Sequence, residues 1–191
     1  MKTVFLLIVT LGSLAFLTGC AVVTSENLIG DTAVQLSPEA WNGTWRNEET
    51  ALQLKVIAPE NGLLKIAWFE EKDNELQPES LTVQIRKGEQ WEYLNLLEGS
   101  LYKDLALAKY CWGRIEKEGK RLLFWLPNPE RFERAVASDT LKGKVIKTKK
   151  ENSPSTHIRL NASSRKLIQQ IESSGGEYFL WDKPLTFIKI D

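Results

Sequence analysis

Residues 50–70 read TALQLKVIAPENGLLKIAWFE, and apolar side chains recur at every second position. Leu52, Leu54 and Val56 form one trio, and Leu64, Ile66 and Trp68 form another. A period of two places each trio on one face of an extended strand, with Gln53, Lys55 and Lys65 on the other. Pro59 and Gly62 punctuate the segment between the runs as a turn. The stretch therefore reads as two antiparallel strands with one dry and one wet face.

The same rhythm continues downstream. SLTVQIR (80–86) aligns Leu81, Val83 and Ile85, and WEYLNLL (91–97) follows a KGEQ turn. LALAKYCWGRI (105–115) is longer and less regular, with Gly113 read as a bulge or bend. EKEGK (116–120) turns the chain into RLLFWL (121–126), while EKDNELQPES (71–80) reads as a polar loop. This is the pattern of a meander. The style then changes. Asn128 and Pro129 have the chemistry of a helix cap and first turn, and Phe132, Ala135 and Val136 form one apolar stripe. KVIKTKK (144–150) and THIRLN (156–161) read as strands. ASSRKLIQQIESSGG reads as a second helix that buries Leu167, Ile168 and Ile171 and stops at Gly175 and Gly176. EYFLWDKPLTFIKI (177–190) reads as a closing strand, bent at Pro184.

The expectation is a mainly β domain: an antiparallel meander closing into a small barrel, with two short helices in the C-terminal third. Closure removes exposed sheet edges and favours a barrel over the alternative, a sandwich. At Trp41-Asn42-Gly43-Thr44-Trp45 the chain resembles the opening of a lipocalin, whose first strand carries a Gly-x-Trp motif matched by Gly43, Thr44 and Trp45. The resemblance implies an eight-stranded up-and-down barrel with a central apolar cavity. A later Thr-Asp-Tyr motif is missing, and the two helices split the last strands as they do not in lipocalins.

The N-terminus carries a separate message. VFLLIVTLGSLAFL (4–17) is uncharged but shorter than the roughly 20 residues a bilayer-spanning helix needs. With Lys2 before it, the run has the form of a signal-peptide core. Leu17-Thr18-Gly19-Cys20 is similar to the lipobox of bacterial lipoproteins at every position. That resemblance implies removal of residues 1–19 and attachment of a diacylglyceryl group to Cys20. Ala21, standing where an acidic residue signals inner-membrane retention in that family, implies an outer-membrane address facing the periplasm. The expected organisation is a signal peptide at 1–19, a lipidated tether at 20–38, and one β-rich domain at 39–191.

Composition narrows the function. The whole chain has 25 basic and 25 acidic side chains, so the mature chain, lacking Lys2, has 24 against 25 and a net charge of −1. A nucleic-acid binder would show a basic surplus. Once Cys20 is acylated, Cys111 is the one remaining cysteine, so no internal disulfide forms. Cys111 reads as buried packing, with a reactive thiol as the alternative because Lys109 and Arg114 are near in sequence. His157 is the single histidine, which excludes a multi-histidine metal site, and it reads as a surface strand residue. Glu70-Glu71 and Glu116/Glu118 read as solvated turn carboxylates. Lys142, Lys144, Lys147, Lys149 and Lys150 form the one strong charge run. They read as a defended edge strand, or as a surface for anionic headgroups or an acidic partner.

All seven tryptophans follow residue 40, and Trp45, Trp68, Trp91, Trp112 and Trp125 are candidates to line a ligand pocket. The alternative is that such large rings simply fill a small barrel. No catalytic constellation and no cofactor motif is read from the sequence. The expected role is a non-catalytic, lipid-anchored binding or interaction module of the bacterial envelope. Its partners would be the membrane through Cys20 and an envelope protein or an apolar ligand. Carriage of an apolar or amphipathic ligand in the barrel is the alternative, and an enzyme acting on envelope polymers or lipids is a third reading.

Overall fold

The computed structural model describes residues 21–72, 75–99, 110–150 and 153–190. The expected signal peptide and the expected acylation at Cys20 fall outside the described residues, as does the 105–109 part of the run ahead of Tyr110.

Eight strands close an antiparallel barrel. They are β3 (Gly43–Arg46), β4 (Ala51–Ala58), β5 (Leu63–Lys72), β6 (Glu75–Lys87), β7 (Glu92–Gly99), β8 (Tyr110–Glu118), β9 (Arg121–Trp125) and β12 (Leu185–Lys189). β3 to β9 form a continuous meander. β12, arriving from the far end of the chain, pairs with β9 on one side and β3 on the other. The side chains of the sequence trios point inward: Leu54 and Val56, Leu64, then Leu81, Val83 and Ile85 are buried with Trp45, Ile115, Leu122 and Phe187. A barrel of about eight strands is just filled by its own side chains, and this one is packed in that way.

Three strands extend the sheet from β8. β1 (Ala21–Ser25) pairs antiparallel with β8 at Thr24–Cys111 and Ser25–Tyr110. β11 (Ser153–Leu160) runs parallel to β1, and β10 (Gly143–Lys150) pairs antiparallel with β11 to form the outer edge. Two helices lie between these strands and the barrel wall in the chain order: α2 (Pro129–Ala137) after β9 and α3 (Ser164–Ser173) after β11. Val23, Ile158, Leu160, Phe132, Leu167, Ile168 and Ile171 from these elements form a second core with Tyr93, Trp112, Leu123 and Trp125 from the outer faces of β7, β8 and β9. That wall is dry on both sides. Its sequence, RLLFW, accordingly loses the alternation that marks β4 and β5.

The tether expected up to residue 38 is instead part of the fold. Ile29 is fully buried, and both its backbone groups bond to the buried side chain of Asn95: Ile29 N–H donates to Oδ1 at 2.7 Å and Nδ2 donates to the Ile29 carbonyl at 2.8 Å. β2 (Thr32–Ala33) pairs with β6. The short α1 (Pro38–Trp41), with Ser37 Oγ accepting from Ala40 N–H, brings buried Trp41 to the core, where the Trp45 indole donates to the Trp41 carbonyl at 2.9 Å. The segment escaped sequence reading because it supplies scattered anchors and no periodic face.

Other expectations need correction. In the polar loop expected at 71–80, residues 71–72 and 75–80 are paired strand, the distal part of β5 and β6. Residues 177–184 are not strand: they cross the second core as turns, with buried Phe179 bridging to Pro127, and β12 begins only after Pro184. Gly113 is no bulge, since the pairing register runs through it. A Cβ there would meet the Phe124 ring at 2.5 Å, so close ring-on-backbone packing requires glycine.

Candidate functional site

The densest chemistry sits on the outer wall of the barrel. Alternation on β8 sends Trp112 and Arg114 outward, and on β9 it sends Leu123 and Trp125 outward. The turn before β7 adds Trp91, and the 174–184 segment folds Phe179 and Trp181 over them. The rings meet edge to face: Trp91–Trp181 at 5.6 Å, Trp112–Phe132 at 5.7 Å and Trp112–Phe179 at 6.0 Å between centroids.

Arg114 lies within this cluster. Its guanidinium is 4.3 Å from the Trp125 ring, 4.5 Å from Trp181 and 5.0 Å from Trp91, and it ion-pairs with Glu116 at 2.6 Å. Three indole faces around one cation are an aromatic cage, and here the chain's own arginine fills it. Burial makes the charged guanidinium harder to hold, and Glu116 opposes that effect. The Nε atom of Arg114 and the indole N–H groups of Trp112 and Trp125 are buried without a hydrogen-bond partner among the described residues.

Glu172 on α3 is the second polar feature, only 4% exposed. Its carboxyl oxygens accept from Gln90 N–H at 2.8 Å, Trp91 N–H at 3.3 Å and the Tyr93 hydroxyl at 2.9 Å. Burial, followed by the neighbouring Glu172, pushes the Tyr93 phenol far above its ordinary value, so it serves as a donor and not as a base. The group locks α3 onto the β6–β7 turn. Sequence reading missed Arg114 and Tyr93 because period-two reasoning on β8 and β7 looks only for apolar residues, and it missed Glu172 because a carboxylate on a helix reads as solvent-facing.

The five candidate lining tryptophans do not share a pocket. Trp45 and Trp68 pack with the barrel interior, whereas Trp91, Trp112 and Trp125 belong to the outer core. Cys111 faces the interior side, half-buried, and burial pushes its thiol up to about 11. A neutral thiol is a poor nucleophile at neutral pH. His157 is half-buried rather than superficial: Nε2 lies 2.7 Å from Thr24 Oγ1, and burial, then Arg159, lowers its pKa. Among the described residues no group of three or more His, Cys, Asp or Glu side chains is placed to hold a metal ion. Glu71 lies one residue from the end of β5, and Glu118 closes β8 at the turn into β9, where it meets Arg121 at 3.3 Å; these are carboxylates at strand ends, as expected.

Two surface features stand apart from this core. An open groove of about 550 Å³ lies between α2 and the segment after α3, bordered by Arg134, Tyr178 and the Arg131–Glu177 ion pair at 3.5 Å. The other is the β5–β6 arm. β4 accompanies β5 only as far as Ala67, and β7 accompanies β6 only from Leu81. Beyond those points the two strands pair with each other alone among the described residues. Phe69, 62% exposed, and Leu76, 71% exposed, stand on one face of this ribbon beside Pro78.

No protein-family model, curated protein or solved structure matches this chain.

Proposed function

We propose that this protein is a lipid-anchored interaction module of the bacterial envelope, held to the membrane by an acylated Cys20 and contacting a protein partner through the β5–β6 arm. One observation carries the reading: large apolar side chains are exposed on a two-stranded ribbon that, among the described residues, extends past both neighbouring strands. A lone hairpin is marginally stable and gains nothing from exposing Phe69 and Leu76 unless something covers them. The interior of the barrel, by contrast, is already occupied by Trp45, Leu54, Leu64 and Phe187.

The test combines in-cell crosslinking with two variants. Phe69→Ser/Leu76→Ser is expected to abolish a crosslinked species while leaving thermal stability unchanged. An unchanged crosslink pattern refutes the role of the arm. Anchoring is tested separately: labelled palmitate should enter the protein and should not enter Cys20→Ala.

Carriage of an apolar ligand is the second reading, favoured by the buried aromatic cluster. Native mass spectrometry of protein extracted from its own cells would reveal a bound molecule. A mass equal to the acylated chain alone counts against carriage.

A further inference from the structure

Strand register places the lysine run beside the point where the chain enters the fold. Ala21 pairs with Thr156, and Thr156 pairs with Lys147. Because β10 is antiparallel to β11 and β11 is parallel to β1, β10 runs toward the side from which residue 20 arrives. Lys149 and Lys150 pair with Pro154 and Ser153, so β10 continues past Ala21 by up to three residues, roughly 10 Å. The lateral distance from β1 to β10 is two strand spacings, also roughly 10 Å. β1 starts at Ala21, the residue directly after the proposed acylation site.

Charge follows the same axis. The hairpin from 143 to 160 carries Lys144, Lys147, Lys149, Lys150 and Arg159 against one acid, Glu151, for a net of +4. The mature chain is net −1, so everything outside the hairpin is net −5. Lys144 and Lys147 are exposed, although Lys147 is partly offset by Glu133 at 2.7 Å. At the other end, residues 70–79 of the arm hold Glu70, Glu71, Asp73, Glu75 and Glu79 against Lys72, for a net of −4. β1 runs antiparallel to β8, and the arm's tip lies at the end where β8 starts. The chain therefore enters from the side opposite the arm. The basic hairpin thus lies toward the side where the chain enters β1, and the acidic arm toward the opposite end of the sheet.

From this juxtaposition we propose that the β10–β11 hairpin is a membrane-contact surface for anionic phospholipid headgroups, which fixes the orientation of the barrel and points the β5–β6 arm away from the bilayer. The inference rests on the acylation of Cys20. It goes beyond anchoring, because acylation alone tethers the domain without orienting it. Each lysine near an anionic surface favours contact roughly fivefold, and the attraction fades within about 10 Å at ordinary salt. Lysines held within that distance of the anchor act on headgroups, whereas those on the distant wall, such as Lys55 and Lys65, do not.

The experiment uses the acylated full-length product in vesicles of phosphatidylcholine, with or without phosphatidylglycerol, treated with an amine-reactive reagent and read by peptide mass spectrometry. Expected is protection of Lys147, Lys149 and Lys150 on the phosphatidylglycerol vesicles, lost in high salt, with Lys55 and Lys65 labelled equally on both. The K149Q/K150Q variant is expected to weaken contact roughly 25-fold, leaving Lys147 labelled alike on both lipids. Equal labelling of the natural chain on both lipids, while it still floats with vesicles and carries the acyl mass, overturns the headgroup contact and leaves the anchor standing. Failure to float, with an unmodified Cys20, overturns the anchor itself. Protection in native membranes but not on phosphatidylglycerol vesicles assigns the lysines to an acidic protein and overturns the lipid assignment.

Discussion

Glu172 shows how one polar side chain inside an apolar core decides the placement of a helix. Three donors converge on its oxygens, two of them backbone N–H groups of the turn before β7. Removing the carboxyl strands all three donors in a dry setting, so Glu172→Ala is expected to cost about 3 kcal/mol in urea denaturation. Glu172→Gln is expected to cost less, because the amide oxygen still accepts. His157 gives a residue-scale prediction in pH. Burial lowers its folded pKa, so as pH falls below about 6.5 the unfolded chain takes up a proton first. Its contribution is complete above that value and is lost on acidification until the folded imidazole also protonates. Comparing urea midpoints across this window with those of His157→Gln isolates the effect, and parallel pH profiles would refute it. None of these residues announced itself in the sequence. A lone Glu in a helix reads as solvent-facing, and a lone His in a strand that opens Ser-Pro-Ser-Thr reads the same way, because burial depends on which element lies alongside.

At the scale of elements, legibility followed periodicity and local chemistry. β4, β5 and the core part of β6 were readable because one face is wet and one dry. α2 was readable because its cap is local: Asn128 Oδ1 accepts from Glu130 and Arg131 N–H at 3.2 and 3.4 Å, with Pro129 at the first position. Asn128→Ala is expected to cost about 1 kcal/mol, measured by thermal or urea unfolding, with the glycine variant losing less. The edge position of β10 was also legible, since lysines at 144, 147, 149 and 150 discourage strand addition. What stayed hidden was the reach of β5 and β6 beyond their neighbours. Residues 71–80 are polar enough to pass for a loop, and only the cross-strand pairs Phe69–Pro78 and Glu71–Leu76 reveal a ribbon. The 177–184 segment misled in the opposite way, since Phe179 and Trp181 look like strand residues but are the lid of a helix-side core.

For the molecule as a whole, the wall formed by β7, β8 and β9 belongs to both cores. Phe187 packs on its inner side and Phe132 on its outer side. Damage on either side is therefore expected to spread through the shared strands. Phe187→Ala and Phe132→Ala should each lose about 3–5 kcal/mol and should each retain a single unfolding transition by fluorescence and by circular dichroism. Two separated transitions would show that the layers fold independently. Closure into a barrel was expected because it removes exposed sheet edges, and the number eight followed from the lipocalin resemblance, but the three-strand extension was not expected. β1 comes from the presumed tether, and its parallel partner β11 lies more than a hundred residues away.

The seam sealed by β12 has a temporal consequence. Its residues, Leu185–Lys189, follow all seven other barrel strands in the chain, and until they are made β3 and β9 lack the strand that joins their facing edges. A growing chain thus cannot complete its cylinder before β12 has left the ribosome, however early the meander from β3 to β9 has formed.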